Sequence, residues 1–380
     1  MKPKERSGMV RSRQDLNGVR RIVVKVGSAL LADESLDAFQ KLSKEITGLM
    51  DRGFEVVLVS SGAIALGWSH LGLTKRPHTL PLLQAAAATG QTTLMSKWQN
   101  HFQKSNIALG QILLTHGDMS DRKRYLNAKS ALEALLQRGA LPVVNENDTV
   151  SVQEIRFGDN DALAANVAGL LNCPLLVLLT TAEGVMTAPP EEDVDASCIS
   201  IIEHPGNLED YNLGNTNATG TGGMQTKLIA AQTAQRHGAA TVIADGRQKG
   251  VLNTILEGLF CGTFVPGPEE SPHKARKRWI SEALRAQGEL WVDVGAKKAL
   301  IKGASLLFAG VVSVKGDFEA GDAVDLYCES ESKPFGRGLV TLNSKEAAKV
   351  AGIKSWDAQK EQAEPLPGQL IHRDDMAFLI

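Results

Sequence analysis

Three polar residues in succession, Asp159, Asn160 and Asp161, stand in "EIRFGDNDALAANVAGLL" directly ahead of a helical pattern of small and apolar side chains. One Asp or Asn suffices to cap a helix. Three leave side chains over, and two carboxylates flanking an amide beside a glycine can orient ammonium groups, bind a cation or accept hydrogen bonds from a polar substrate. The tripeptide alone does not choose among these chemistries, so the other polar clusters have to.

Two stretches suit phosphate, although neither GxxxxGK[ST] nor GxGxxG occurs in the right context. In "VVKVGSALL" a strand-like run delivers Lys25 into a Gly27–Ser28 turn, where backbone amides can approach an anion and the ammonium can neutralise it. In "ATGTGGMQTKLIAA" the run Gly220, Thr221, Gly222, Gly223 opens onto a helix carrying Met224, Gln225 and Thr226, with Lys227 about one turn in. Glycines, free helix N-terminal amides and a lysine make an anion cradle. Taken singly, a strand-end lysine is ordinarily a solvated charge and a Gly-rich stretch a loop. "VSSGAIALG", with Ser60, Ser61 and Gly62, supplies a third small, amide-rich turn. "VVNENDTVSV" adds Asn145, Glu146, Asn147 and Asp148. With "GDND" these offer acceptors for an α-ammonium group and donors for a carboxylate. Lysines, glycine turns and an amino-acid site combine in one chemistry, phosphoryl transfer to a carboxylate.

Such groups need a scaffold that brings distant turns together. "RIVVKVGS", "EVVLVSSG", "IALGQILLT", "LPVVNEND", "PLLVLLTT" and "AATVIADG" are apolar runs of strand length without polar alternation, each followed by polar or Gly residues opening onto a helical segment. The pattern predicts a parallel α/β sheet, whose ligands bind at the carboxyl ends of the strands. After the polar, Pro-containing break "GPEESPHKA" the texture changes. "GELWVDVGAKKALI", "SLLFAGVVSVKGDF", "DAVDLYC" and "PFGRGLVTL" read as short strands between Gly-containing turns, as in a small barrel, with one short helix around Ser344 to Val350.

A length of 380 residues fits two domains. A hydrophobic fraction of 43% and a formal net charge of -2 give no bulk attraction to nucleic acid or anionic membrane. The longest apolar runs, such as "LLVLL", are far short of a bilayer span, and the basic N-terminal "MKPKERSGMVRSRQD" lacks the apolar core of a secretory signal. The four cysteines match neither a zinc nor a CxxC pattern, so reduced cytoplasmic thiols are expected.

"VVKVGS", "SSGAIALG", "NENDTV", "GDND" and "GTGGMQTK", in this order and spacing, resemble the amino acid kinase superfamily and, within it, the glutamate 5-kinase branch. "RKRWI", "VDVGAKKAL", "SLLFAGV", "GDFEAGD" and "HRDDM" are similar to the PUA domain appended to that branch. The resemblance implies a three-layer α/β sandwich with a mostly parallel sheet, followed by a β-rich PUA pseudo-barrel. The expected boundaries are a disordered tail over 1–19, a kinase domain over 20–266, a linker over 267–284 and the PUA domain over 285–380. The implied reaction is ATP-dependent phosphorylation of the γ-carboxylate of L-glutamate to L-glutamyl 5-phosphate, the first step of proline synthesis. Carried over residue by residue, Lys25 and Lys227 address the transferring phosphoryl group and Asp161 holds them. Ser61, Asn145, Asp148, Asp159 and Asn160 surround glutamate. Gly27, Ser28, Thr180, Thr181 and the segment Thr221, Gly222, Gly223, Met224, Gln225, Thr226, Lys227 contact ATP, with Mg²⁺ bridging phosphate oxygens and no protein metal site. The resemblance also implies proline as feedback inhibitor, glutamate 5-semialdehyde dehydrogenase as recipient of the labile product, and a homo-oligomer, dimer or tetramer.

The chain departs from the branch in "LLTTAEGVMTAPP", where Thr181, Met186 and Pro189 replace two acids and an aromatic; Glu183 is the nearest acid. Two rival readings are a kinase acting on N-acetylglutamate, separable by comparing free and acetylated glutamate, and an RNA-binding regulator working through the PUA domain. Against RNA, residues 285–380 carry 12 Lys and Arg and 14 Asp and Glu, without a basic footprint.

Overall fold

A computed structural model of the chain describes residues 9–32, 35, 37–150, 160–189, 193–208, 211, 223–269, 277, 280–281, 284–353 and 368–379. The chain divides into two compact units, Met1–Glu269 and Glu270–Ile380.

The first unit is built on a seven-stranded sheet of order β3-β4-β2-β1-β5-β6-β7. All six apolar runs form strands: β1 (Arg21–Val26), β2 (Glu55–Ser60), β3 (Leu109–Leu114), β4 (Leu141–Glu146), β5 (Leu175–Thr180) and β6 (Ala240–Asp245). These six pair in parallel. The short β7 (Thr263–Val265), which the sequence pattern does not announce, adds an antiparallel edge to β6. Nearly every residue of β1, β2, β4, β5 and β6 is buried, as expected of strands covered on both faces. Ile22, Val24, Val26, Val56 and Leu58 face a cluster with α2 (Ala38–Asp51), α4 (Leu80–Phe102) and α9 (Val251–Leu256). Val23, Val57, Val59 and Val144 face the opposite cluster with α6 (Arg122–Gln137), α7 (Asn160–Leu170) and α8 (Met224–Arg236). The result is the three-layer sandwich.

A close approach of backbones anchors one layer. The short helix α3 (Ala63–Gly67) lies so near α4 that a Cβ on Gly67 would come 1.9 Å from the Ala86 carbonyl, and one on Gly90 1.8 Å from the Ala63 carbonyl. Only glycine fits at either position.

Residues 9–19 do not behave as the expected tail. Val10, Leu16 and Val19 are buried, and the Arg13 guanidinium donates to the carbonyls of Ser200, Cys261 and Gly262. Three apolar residues interleaved with the charges supply an anchor that the charge pattern obscures.

In the second unit, five strands run in the order β12-β11-β10-β8-β9, from β8 (Gly288–Val292) and β9 (Val311–Gly316) through β10 (Ala323–Cys328) and β11 (Gly336–Leu339) to β12 (Met376–Phe378). The helix at Ser344–Val350 is present. A second helix, Val294–Ile301, replaces the strand character expected for "AKKALI". Asp293 caps it by accepting from the Ala296 amide at 2.7 Å, and its Ala, Lys and Leu content favours helix.

Candidate active site

Strand alternation aims the first lysine. Val23 faces α7 and α8, so Lys25, two residues on, points to the same side. There the first turn of α7 presents Asp161 and the fourth residue of α8 presents Lys227. Lys25 Nζ lies 2.5 Å from Asp161 Oδ1, and Lys227 Nζ lies 3.1 Å from Asp161 Oδ2. The Thr226 hydroxyl reaches the same Oδ2 at 3.0 Å and the Gly223 carbonyl at 2.8 Å. Relative exposures are 5% for each lysine and 1% for the aspartate.

Burial by itself raises the Asp161 pKa. The coulombic pull of Lys25 and Lys227, with their hydrogen bonds, outweighs that effect and holds the carboxyl well below the ordinary carboxylate range. Such a group is a poor proton acceptor and a good fixed anion. Two ammonium groups are thus gathered on one carboxylate in a nearly dry setting, where charge interacts strongly with any anion that enters.

Beside this triad lies a chain of amides. Asn160 Nδ2 donates to Ser61 Oγ and to Asn145 Oδ1, both at 2.9 Å. Asn145 Nδ2 donates to Gln91 Oε1 at 2.7 Å, while its Oδ1 also accepts the Glu146 amide. Ser60, one residue before, is directed to the other face and accepts from Trp98 Nε1 at 2.9 Å. Gln91 belongs to this cluster and was not among the residues singled out in the sequence. Its only local signal is the glycine before it in "ATGQTT", the same Gly90 that lets α4 approach α3.

The turns are less open than their composition suggests. The Gly27 amide donates to the Leu179 carbonyl at 3.3 Å and the Ser61 amide to the Val26 carbonyl at 3.2 Å, so both extend the sheet and neither is free for phosphate. Ser28 opens the five-residue helix α1 (Ser28–Ala32). Gly223 stands at the N-cap of α8 and Met224, Gln225 and Thr226 form its first turn. Thr180 ends β5 opposite Asp245 of β6. Asp245 is clasped by Arg247, whose Nε and Nη2 donate to it at 2.9 and 2.8 Å, a cation that no motif in the sequence announces. Thr181 is exposed and Asp148 half-buried in the loop after β4. Asp159, Thr221 and Gly222 lie outside the described residues.

The divergent segment after Thr181 is held by backbone pairing. Met186 bridges Cys198, the Val185 amide donates to Thr263 Oγ1 at 2.8 Å, and a Cβ on Gly184 would meet the Cys198 sulfur at 2.5 Å. Among the described residues, no group of three His, Cys, Asp or Glu side chains is placed to hold a metal ion, and no helix is long and apolar enough to cross a membrane.

Lysines converging at the carboxyl ends of parallel strands, beside a helix N-terminus and a polar amide cluster, form a site suited to moving a phosphoryl group. The model of the amino acid kinase family matches residues 20–245, and that of the PUA domain matches residues 288–360. The chain belongs to the amino acid kinase family, kinases that use ATP. Its similarity reaches one branch in particular. A glutamate 5-kinase of Syntrophotalea carbinolica is 42% identical over 95% of this chain and 98% of its own. One from Thioalkalivibrio sulfidiphilus is 44% identical over 98% of this chain and 100% of its own. Among solved structures, a UMP kinase from Bacillus anthracis aligns with a TM-score of 0.46 at 16% identity, covering 65% of this chain and 96% of that one.

Proposed function

We propose that this chain catalyses ATP-dependent phosphorylation of the γ-carboxylate of L-glutamate, giving L-glutamyl 5-phosphate and ADP. The observation that carries the reading is the buried Lys25–Asp161–Lys227 triad, which gathers two ammonium groups on one carboxylate where the end of β1 meets the first turns of α7 and α8. Full-length likeness to glutamate 5-kinases supplies the substrate.

In this mechanism the γ-carboxylate attacks the γ-phosphorus of MgATP and the β–γ bridging oxygen leaves with ADP. The nucleophile is ionised at neutral pH, so no general base is required. Lys25 and Lys227 neutralise charge on the transferring oxygens, and catalysis is mostly positioning and electrostatics. Asp161 is the positioning residue that sets the spacing of the two ammonium groups. Ser61, Asn145, Asp148, Asp159 and Asn160 bind glutamate. Thr180, Thr181 and the Thr221 to Lys227 segment hold the nucleotide, with Ser28 and the Gly27 turn beside its phosphates. Mg²⁺ bound with ATP would supply further charge neutralisation at the phosphates, beside that from Lys25 and Lys227. The same reading includes cytoplasmic location, proline as feedback inhibitor, homo-oligomerisation and delivery of the acyl phosphate to glutamate 5-semialdehyde dehydrogenase.

The test is glutamate-dependent ADP release from MgATP with hydroxylamine present to trap acyl phosphate. Hydroxamate formed from free glutamate, and much less from N-acetylglutamate, is the expected result. Folded protein that shows no glutamate-dependent turnover at millimolar ATP overturns the reading and directs attention to the altered "TTAEGVMTAPP" segment.

A further inference from the structure

Two polar atoms at the amide cluster have no hydrogen-bond partner among the described residues although both are buried: Gln91 Nε2 and Asn160 Oδ1. A buried polar atom left unpaired costs about 1–3 kcal/mol, so an orphan pair inside one connected network marks a place where a ligand completes the bonding. One orphan is a donor and the other an acceptor. They sit at opposite ends of the run Gln91–Asn145–Asn160, whose inner contacts at 2.7 and 2.9 Å already fix each amide's orientation. With Gln91 Oε1 taken by Asn145, its NH₂ is left over. With Asn160 Nδ2 shared by Ser61 and Asn145, its oxygen is left over.

We infer that Gln91 is a substrate-specificity residue whose Nε2 donates to the α-carboxylate of the bound amino acid, while Asn160 Oδ1 accepts from its α-ammonium group. The inference rests on the function proposed above and deepens it. The γ-carboxylate must lie at Lys25 and Lys227 to receive a phosphoryl group. Asn160 adjoins Asp161 in the chain, and Gln91 is joined to Asn160 through Asn145. In order of connection Gln91 is thus the member furthest from the lysines, and the network is assigned to the α end of the substrate. That end has one acceptor group and one donor group, matching the two orphans. Position is enforced by the glycine contact of α3 with α4, because Gln91 follows Gly90, whose Cα side touches the Ala63 carbonyl.

The experiment measures binding of L-glutamate and of its 1-amide, L-isoglutamine, by calorimetry, together with KM and kcat for both, in the unaltered chain, Gln91→Leu and Gln91→Glu. Circular dichroism and thermal melts confirm that each variant folds. Losing a donor to a carboxylate predicts about a tenfold to hundredfold weaker binding of L-glutamate in Gln91→Leu, seen in KM more than in kcat. Gln91→Glu sets a carboxylate against a carboxylate but can accept from the amide of isoglutamine. It is expected to invert the preference in favour of isoglutamine, an outcome that a merely structural role for Gln91 does not produce. Glutamate binding in both variants within about twofold of the unaltered chain overturns the inference, and so does an equal loss for both ligands with no inversion. Absence of glutamate binding in the unaltered chain defeats the underlying function instead, which keeps the two failures apart.

Discussion

The buried triad of the first unit and the outer sheet face of the second use similar residues to opposite ends. On the outer face, Lys315 lies 3.9 Å from Glu289 and 4.3 Å from the centroid of the Trp291 ring, with its side chain 60% exposed. Trp291 and Tyr327 stack at 4.9 Å and 13°. In the triad, Lys25 and Lys227 share one carboxylate at 2.5 and 3.1 Å with side chains 6% exposed. Water screens the first group and leaves its ion pair worth about 0–1 kcal/mol. The second group lacks that screening, so each charge there is consequential both for stability and for any anion that enters. Burial, more than residue type, separates a solvated face from a candidate site.

Removing the central anion strains that contrast most. Asp161→Asn leaves two buried ammonium groups facing each other and is expected to destabilise the first unit by about 3–5 kcal/mol, read from urea melts at pH 7. The pH dependence has a definite sign. Because the folded pKa of Asp161 lies below its ordinary value of 3.8, its stabilising contribution is complete above about pH 4 and declines as the pH falls towards the folded value. The deficit of Asp161→Asn should therefore shrink in melts taken below pH 4; a constant deficit would show that the carboxylate's charge is not what matters.

Next in size are the lysines. A cation near the transferring oxygens at an effective dielectric of about 20 is worth roughly 4 kcal/mol, or about a thousandfold in rate. Lys25→Ala and Lys227→Ala should each lower kcat by a hundredfold or more while circular dichroism stays native. Near-normal turnover in either would put the triad on the same footing as the surface pair. Gly90→Ala probes the support: a Cβ 1.8 Å from the Ala63 carbonyl forces α3 and α4 apart. The expected effect is about 1–3 kcal/mol lost in thermal melts, with a higher KM for glutamate as Gln91 shifts. Lys315→Ala should be smallest, under about 1 kcal/mol and without change in kcat. A large kinetic effect there would tie the second unit to catalysis.

Much of the scaffold was legible because its signals are local. Six apolar runs without polar alternation became six parallel strands, and Asn160–Asp161 of "GDND" and Gly223–Lys227 of "GTGGMQTK" stand at the starts of two helices. The features that escaped depend on contacts made far along the chain. β7 exists because β6 offers it an edge, residues 9–19 are ordered because carbonyls near position 261 receive Arg13, and Gln91 looks like any polar residue in a long helix until two glycines bring that helix against α3.

The sequence by itself determined the layer architecture, the two-unit organisation and the residue types available for phosphoryl transfer, since periodicity and turn chemistry are properties of neighbouring residues. Only the tertiary structure decided that the Gly27 and Ser61 amides are engaged in the sheet, that Lys25, Asp161 and Lys227 meet out of water, and that Gln91 and Asn160 each keep one unpaired atom. Desolvation and hydrogen-bond completion depend on everything that surrounds a group, and those surroundings are assembled by folding.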